Sequence, residues 1–479
     1  MRKRLVHILT AALILVSGTA PAWAAPVNGA FRTMSGIRVL HIWGTHHEMG
    51  YAHGYLLGEQ IVDLFDRIFV PLVGGEEYMQ ANREKFLERF EMPSWHTEEV
   101  EGIIAGIAAS GASLYVDALG RDLDATDLAT MDALSDIRTL YECASFAAWG
   151  DATGTDSVLQ GESALARNLD WWAPAGEPYT LAANTLVIGR EPDDARATLM
   201  VGFTGLSGCY SCMNDAGVAT TRMMTNHGTL PWQMDFSRLF TPLNIVMRDA
   251  LESADVDGDE ASTVDDVVAA LGAAARSSAY NIMVVGRAAD GREPVVVEIN
   301  NQEMAVRTAA DEPTLPATVL GATNHMRKLY APIPDSRYLA MKADVLGWSG
   351  ALTRERMWIV LQSMYDEWLT GATTQSMIFV PSNRSVAISY TDETALAPFK
   401  PPTWLAWDDV FDPDDAPTDD DVDDDADDDV DDDDVDDDSD DDSDDDTGND
   451  DLSDDDVPDD DVPADESGAD GDDDDGCGC

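Results

Sequence analysis

Apolar residues recur at helical spacing in the first third of the chain and gather into short β-rich runs after it. Met49, Tyr55, Leu56, Leu57, Ile61, Leu64, Phe65 and Ile68 follow the helical period. Glu98 to Ile107 reads as a second helix, in which Gly102 and Gly106 leave room for a close neighbour, and Asp124 to Leu134 as a third. Residues 25–142 are therefore expected to be mostly helical. Beyond Cys143, Thr185–Ile188, Leu199–Phe203, Ile282–Val285, Val295–Ile299 and Ser385–Tyr390 read as strands, and Asp290-Gly291 marks a hairpin turn. Helical stretches interrupt them at Leu243–Leu251, Val264–Ala275 and Arg354–Tyr365. Strand pairs and helix pairs in one chain imply layered α+β packing. A core spanning residues 25–407 is long enough to bury a substantial interior.

The two ends differ from this core. Arg2-Lys3-Arg4 precedes an apolar run, Leu5 to Val16, and a small-residue site, Ala22-Trp23-Ala24. That order is a secretory leader, residues 1–24, with cleavage before Ala25. The run is shorter than the roughly 20 residues that span a bilayer, and no transmembrane segment is expected once the leader is removed. An extracellular or periplasmic location follows, with surface attachment open.

At the other end, 42 of the 92 acidic residues lie between Asp408 and Cys479, with no Lys or Arg among them. Residues 408–479 are expected to form an unfolded, extended tail, because they carry too little apolar area to offset ordering entropy. It is a solubilising tail or a weak calcium-binding spacer. The ending Gly476-Cys477-Gly478-Cys479 is a candidate for attachment or oxidation. A formal charge of −63 on 479 residues argues against a nucleic-acid partner.

Three cysteines lie in the core. Cys209 and Cys212 form a CxxC, and a disulfide suits an exported protein; zinc would need two further ligands. Cys143 stands alone, either as a small buried residue or as a nucleophile. It lies in Glu142-Cys143-Ala144-Ser145-Phe146, and 24 positions later comes Arg167-Asn168-Leu169-Asp170-Trp171.

These segments resemble the N-terminal-nucleophile hydrolases of the penicillin acyltransferase (peptidase C45) type. Relatives of that type include choloylglycine hydrolase, penicillin V acylase and acid-amidase-like enzymes. Gly44-Thr45-His46-His47-Glu48-Met49-Gly50 with His53-Gly54 is similar to the family's pro-segment opening. Met213-Asn214-Asp215-Ala216-Gly217, Tyr280-Asn281, Thr323-Asn324-His325 and Asp335-Ser336-Arg337-Tyr338 match in the same order, so the resemblance runs over roughly residues 37–400. It implies a four-layer αββα sandwich with antiparallel sheets. It also implies autocleavage between Glu142 and Cys143, with the 25–142 chain released and 143–407 left as the catalytic chain.

The resemblance assigns roles. Cys143 is the nucleophile, with Arg167 beside its sulfur and Asp170 orienting its new α-amine. Asn281 supplies the oxyanion hole, Asn214 contributes nearby, and Arg337 stands close to the nucleophile. The chemistry is coherent: a free α-amine titrates near ~8 and a thiol near ~8.5, so the amine is a competent base for the sulfur. Each well-placed oxyanion donor is typically worth about 2.7–4 kcal/mol. Against the residues alone, Arg167 with Asp170 also reads as a surface ion pair, Asn214 and Asn281 as turn formers, and Arg337 as a surface arginine. The chain departs from the family's penicillin-acting members in having Glu142 where they carry Gly, and Ala144 where Ser or Thr is usual.

The expected substrate is a small amide or acyl compound, with no cofactor and no metal. Trp149, Trp171 and Trp172 near the nucleophile suit either an apolar acyl pocket or core packing. Asp255-Val256-Asp257-Gly258-Asp259 reads as a polar loop leading into a helix capped by Thr263 rather than a calcium loop, since its Gly is misplaced. His46, His47, His53 and His325 lack metal-binding spacing. Two other readings compete: an unprocessed Cys143–His325 thiol hydrolase, and a non-catalytic binding module on a calcium-responsive acidic stalk.

Overall fold

The computed structural model describes residues 27–137, 141–172, 178–225, 239–368 and 371–412. The expected leader and nearly all of the acidic tail lie outside the described residues. The chain opens on two strands, β1 (Gly29–Met34) and β2 (Ile37–Gly44). Ser35 and Gly36 join them at φ of 48° and 80°, the left-handed conformation a two-residue hairpin turn demands. The described residues before Cys143 are mostly helical, as expected, with this hairpin added to them. Helices α1 (His46–Leu64), α2 (Val70–Val73), α3 (Glu76–Arg89) and α4 (Ser94–Ser110) follow, then β3 (Tyr115–Val116), β4 (Arg121–Asp122) and α5 (Ala125–Ile137).

Cys143 lies on β5 (Tyr141–Ala148), and β6 (Ala164–Trp172) pairs with it. Next come α6 (Pro178–Ala183), β7 (Thr185–Pro192), β8 (Thr198–Phe203), β9 (Ser211–Asn214), β10 (Ala219–Met224), α7 (Leu243–Glu252) and α8 (Val264–Ala273). The strands β11 (Tyr280–Val285), β12 (Val295–Ile299), β13 (Met304–Arg307) and β14 (Val319–Ala322) precede α9 (Ser336–Gly347) and α10 (Arg354–Ser363). The described chain closes with β15 (Glu367–Trp368), β16 (Gly371–Val380), β17 (Ser385–Tyr390), β18 (Thr403–Leu405) and α11 (Trp407–Phe411).

The fold is α+β. One sheet runs β1-β2-β7-β8-β9-β10-β11-β12-β13, and another runs β14-β5-β6-β16-β17-β18. Pairing is antiparallel except between β2 and β7, where the opening hairpin lies parallel to β7. The two large sheets face each other: Ser145 of β5 meets Thr221 of β10 at 3.0 Å, and Gln375 of β16 donates to Thr185 of β7 at 3.1 Å. Side chains alternate along β5 as a strand requires. Cys143 and Ala147 point to the sheet interface, while Ala144, Phe146 and Ala148 pack with Met341 and Val345 of α9 and Val360 and Leu361 of α10. On the far side of the nine-stranded sheet, Glu99 of α4 pairs with Arg190 of β7, and Tyr280 of β11 donates to the Ser135 carbonyl of α5. Helix, sheet, sheet and helix therefore stack in that order, with Cys143 between the sheets.

Helices α1 and α4 pack backbone to backbone. A methyl group added at Gly54 would lie 2.0 Å from the Ile103 carbonyl oxygen, and one at Gly106 would lie 2.1 Å from that of Tyr51. The room expected at Gly102 and Gly106 is this contact. Gly54→Ala should destabilise by more than the roughly 1–3 kcal/mol of ordinary overpacking, because the obstacle is main chain. Gly347→Ala, with nothing within 4 Å, is the control and should be nearly neutral. Chemical denaturation of both variants checks this.

The start of the tail lies further on than Asp408. The tail was set to begin at Asp408, yet Trp407 and Val410 are buried on α11, and Arg32 donates to the carbonyls of Asp409 and Val410. The apolar pair at i and i+3 is hidden in an acidic run. The segment before Cys143 is built into the fold. Its hairpin is part of the large sheet, and Glu99 is gripped by Arg248 (2.6 Å) and Arg190 (3.3 Å). Burial favours the neutral acid, but these two guanidinium groups hold the Glu99 carboxyl well below its ordinary range. No helix among the described residues is long and apolar enough to cross a membrane.

Candidate active site

The site forms where β5 and β6 run side by side. Cys143 sits opposite Leu169 and Glu142 opposite Asp170. Arg167 stands opposite Ser145 on the face that carries Cys143, so its long side chain can fold back along the sheet. Its Nη2 donates to the Cys143 Sγ at 3.0 Å. Its Nη1 donates to the Ser211 hydroxyl at 2.8 Å and to the Tyr210 carbonyl. Both residues are fully buried. Burial pushes the Cys143 thiol up from its ordinary value, and the Arg167 charge and hydrogen bond only partly offset this. The buried sulfur therefore favours the protonated thiol.

Asp170, three residues after Arg167, points the other way, as strand alternation dictates. Its carboxylate accepts from Arg337 at 2.8 Å and from the Thr373 hydroxyl. The β16 register shifts between Thr373 and Gln375, next to Asp170, where a bulge can re-aim a side chain. Asp170 acts on Cys143 in opposite senses: its charge pushes the thiol up, and its main-chain N–H draws it down by less.

Arg337, on the first turn of α9, ties the site together. It donates to Asp170, to Glu142 at 2.7 Å and to the Asn324 side-chain oxygen at 2.6 Å. Asp366 lies 3.6 Å away. The Asn324 oxygen also accepts the Cys143 N–H at 3.2 Å, and its amide donates to the Met224 carbonyl at 2.5 Å. Asn324 thus holds the nitrogen of the Glu142–Cys143 peptide bond. The sequence pattern contained it in Thr323-Asn324-His325 but assigned it no role.

The other expected residues fall as follows. Asn281 donates to the carbonyls of Thr323 and His325 at 2.8 and 3.0 Å, so it shapes the turn that presents Asn324. Asn214 donates to the Leu251 carbonyl of α7 and to the Ser262 hydroxyl, and accepts the Val218 N–H, so it ties the β9–β10 turn to the α7–α8 segment. His325 turns its Nε2 to Asp335 at 3.2 Å, which gives no support to a Cys143–His325 dyad. Cys209 and Cys212 form a disulfide. Trp171 packs against Phe203 and Tyr210 in the core, while Trp172 is exposed and meets Trp368 edge-on. In the Asp255 loop, Asp255 accepts main-chain N–H groups from Gly258 and Glu260, Thr263 caps α8, and carboxylate oxygens of Asp255, Asp257 and Asp259 lie within 4.8 Å of one another. Two open cavities, of 680 and 820 Å³, flank α7 and are not lined by Cys143.

Burial pushes the Asp170 carboxyl up to about 7, against the pull of Arg337 and Thr373, with Asp366 and Glu142 adding to the rise. An unfolded Asp titrates near ~3.9. The folded value is the higher, so the folded chain binds the proton more tightly than the unfolded one. That stability is complete below about pH 4 and is lost as pH rises through about 7. The melting temperature of Cys143→Ala should therefore fall across this window more steeply than that of Cys143→Ala/Asp170→Asn. Calorimetry at pH 5, 6, 7 and 8 checks the difference.

No family model matches the chain. It is 26% identical over 231 residues to an uncharacterized protein of Archaeoglobus fulgidus, covering 44% of this chain and spanning only 37% of that relative's length. Similar solved structures include a Caenorhabditis elegans N-acylethanolamine-hydrolyzing acid amidase ortholog (TM-score 0.37, 17% identity, 50% of this chain and 93% of that one). The conjugated bile acid hydrolase of Clostridium perfringens has a TM-score of 0.37 at 12% identity, covering 55% of this chain and 92% of that one. Penicillin V acylase from Agrobacterium tumefaciens has a TM-score of 0.36 at 11% identity, covering 55% and 86%.

Proposed function

We propose that the chain is an exported, self-cleaving cysteine hydrolase of linear amides. The observation that carries this is the Arg167 guanidinium on the Cys143 sulfur, 3.0 Å away, inside a closed interface. A buried arginine aimed at a lone thiol stabilises the thiolate, the form that attacks. In the first step Sγ attacks the Glu142 carbonyl carbon, and the acyl group shifts from the Cys143 nitrogen to its sulfur. The nitrogen takes up the thiol proton. Asn324 already accepts the N–H of that peptide bond. Water then hydrolyses the thioester, leaving the Glu142 carboxylate and a free Cys143 α-amine.

The cut changes the electrostatics in a useful direction. The neutral form of the new amine accepts the thiol proton as Sγ attacks a substrate, and the ammonium so formed lies beside the sulfur. In this reading Asp170, held by Arg337, orients the ammonium form, together with the Asn324 oxygen that already accepts the Cys143 N–H. The substrate acyl group passes to Sγ as its amine leaves, and water releases the acid. The acidic excess of the core disfavours strongly anionic substrates.

Two experiments follow. After cleavage the 25–142 and 143–479 fragments should co-elute on size exclusion and separate only in denaturant, since Glu99 and the β1–β2 hairpin bind the second fragment. Elution of the small fragment alone in native buffer would contradict this. Incubation with a panel of aryl amides should place a hydroxylamine-labile acyl group on the Cys143 peptide. Amide turnover that survives Cys143→Ala would contradict the reading.

A further inference from the structure

We propose that the Cys209–Cys212 disulfide is a positioning clamp for Arg167, and through it for the nucleophile. The bond closes a loop of two residues, Tyr210 and Ser211, and these are the two that receive Arg167. One end of the guanidinium thus rests on the Cys143 sulfur and the other in the disulfide loop. Both cysteines are buried, at 0% and 4% exposure, and their Cα atoms lie 5.8 Å apart.

Independent contacts fix the loop around the bond. The Tyr210 carbonyl also accepts the Arg222 N–H. The Tyr210 ring lies between Trp171, 5.7 Å away, and the Arg222 guanidinium, 4.4 Å away. The Cys209 N–H donates to the Asn244 carbonyl at 3.0 Å, and Cys212 pairs with Met200 and Thr220 within the nine-stranded sheet. The irregular Cys209 side of the loop is thereby fastened to the regular Cys212 side. The acceptors come from one sheet and the sulfur from the other, so the clamp also fixes the spacing across the interface at the nucleophile. Tyr210, Ser211 and the disulfide are positioning residues here, since they act only through Arg167.

This inference rests on the proposed role of Cys143, and its test separates the two. In a Cys477→Ser/Cys479→Ser background, Cys143 is the only free thiol, and its thiolate can be followed by absorbance at 240 nm against pH without any catalysis. Cys209→Ser/Cys212→Ser should raise the midpoint of thiolate formation by about one unit, a tenfold loss of thiolate at a given pH below it. It should also slow formation of the chain beginning at Cys143 by a similar factor. Ser211→Ala leaves the disulfide intact and should shift the midpoint in the same direction by less. A double variant with a lowered melting temperature but an unchanged midpoint would overturn the proposal, leaving the bond a purely structural staple. If the double variant does not fold, an unchanged midpoint in Ser211→Ala overturns it. A background protein that never cuts before Cys143 defeats the functional reading instead, and the titration still decides the clamp.

Discussion

Cys143→Ala is expected to give a folded, uncut chain with amide turnover reduced on the order of 10⁴-fold or more, as when the nucleophile of a catalytic unit is removed. Folding should survive because the site is already assembled in the uncut chain. Arg337 bridges Asp170, Glu142 and Asn324 before any bond breaks, and the substitution deletes one buried sulfur. The variant should retain its elution volume and its melting temperature to within a few degrees, while gel bands for the two fragments disappear. Cys143→Ser is the sharper comparison. A hydroxyl is far harder to ionise beside Arg167 than a thiol, so cutting should persist only at a much lower rate.

Arg337→Ala should have the largest effect on stability. The substitution leaves Asp170 fully buried without its cation and removes a donor from the Asn324 oxygen. Breaking a buried pair by removing one partner typically costs about 3–5 kcal/mol. The size should depend on pH. Asp170 already sits near 7 with Arg337 present, and without it the carboxyl moves higher. Below its titration the acid is neutral and the loss is moderate; above it an unpaired charge must be buried and the loss grows. Adding Asp170→Asn removes that charge, so the double variant should be less destabilised than the two single losses summed, by urea denaturation at pH 8. Strict additivity would mean that the two side chains do not act together.

Much of this arrangement was readable in the sequence, for physical reasons that differ by residue. Arg167 and Cys143 lie on adjacent antiparallel strands, so a short motif spacing captures their contact. The helix pair α1 and α4 announces itself through periodic apolar residues and glycines at their interface. The opening hairpin was missed, although Ser35-Gly36 between β-branched and aromatic residues is its signal, because the helices that follow dominate the composition. Thr373 could not have been found: its contact with Asp170 depends on a strand register about 200 residues away and on a local bulge. Asn324 and Asn281 show the limit of reading one side chain at a time. Both sit in recognisable motifs, but only packing shows that Asn281 supports the turn while Asn324 touches the Cys143 N–H.

The central claim is that breaking one peptide bond turns a buried, weakly acidic thiol into a nucleophile with its own base. N-terminal sequencing and intact mass of the purified, catalytically active protein test it most directly. The account predicts a second chain whose first residue is Cys143, carrying a free amine. Full activity in a protein whose bond between residues 142 and 143 is intact would contradict it.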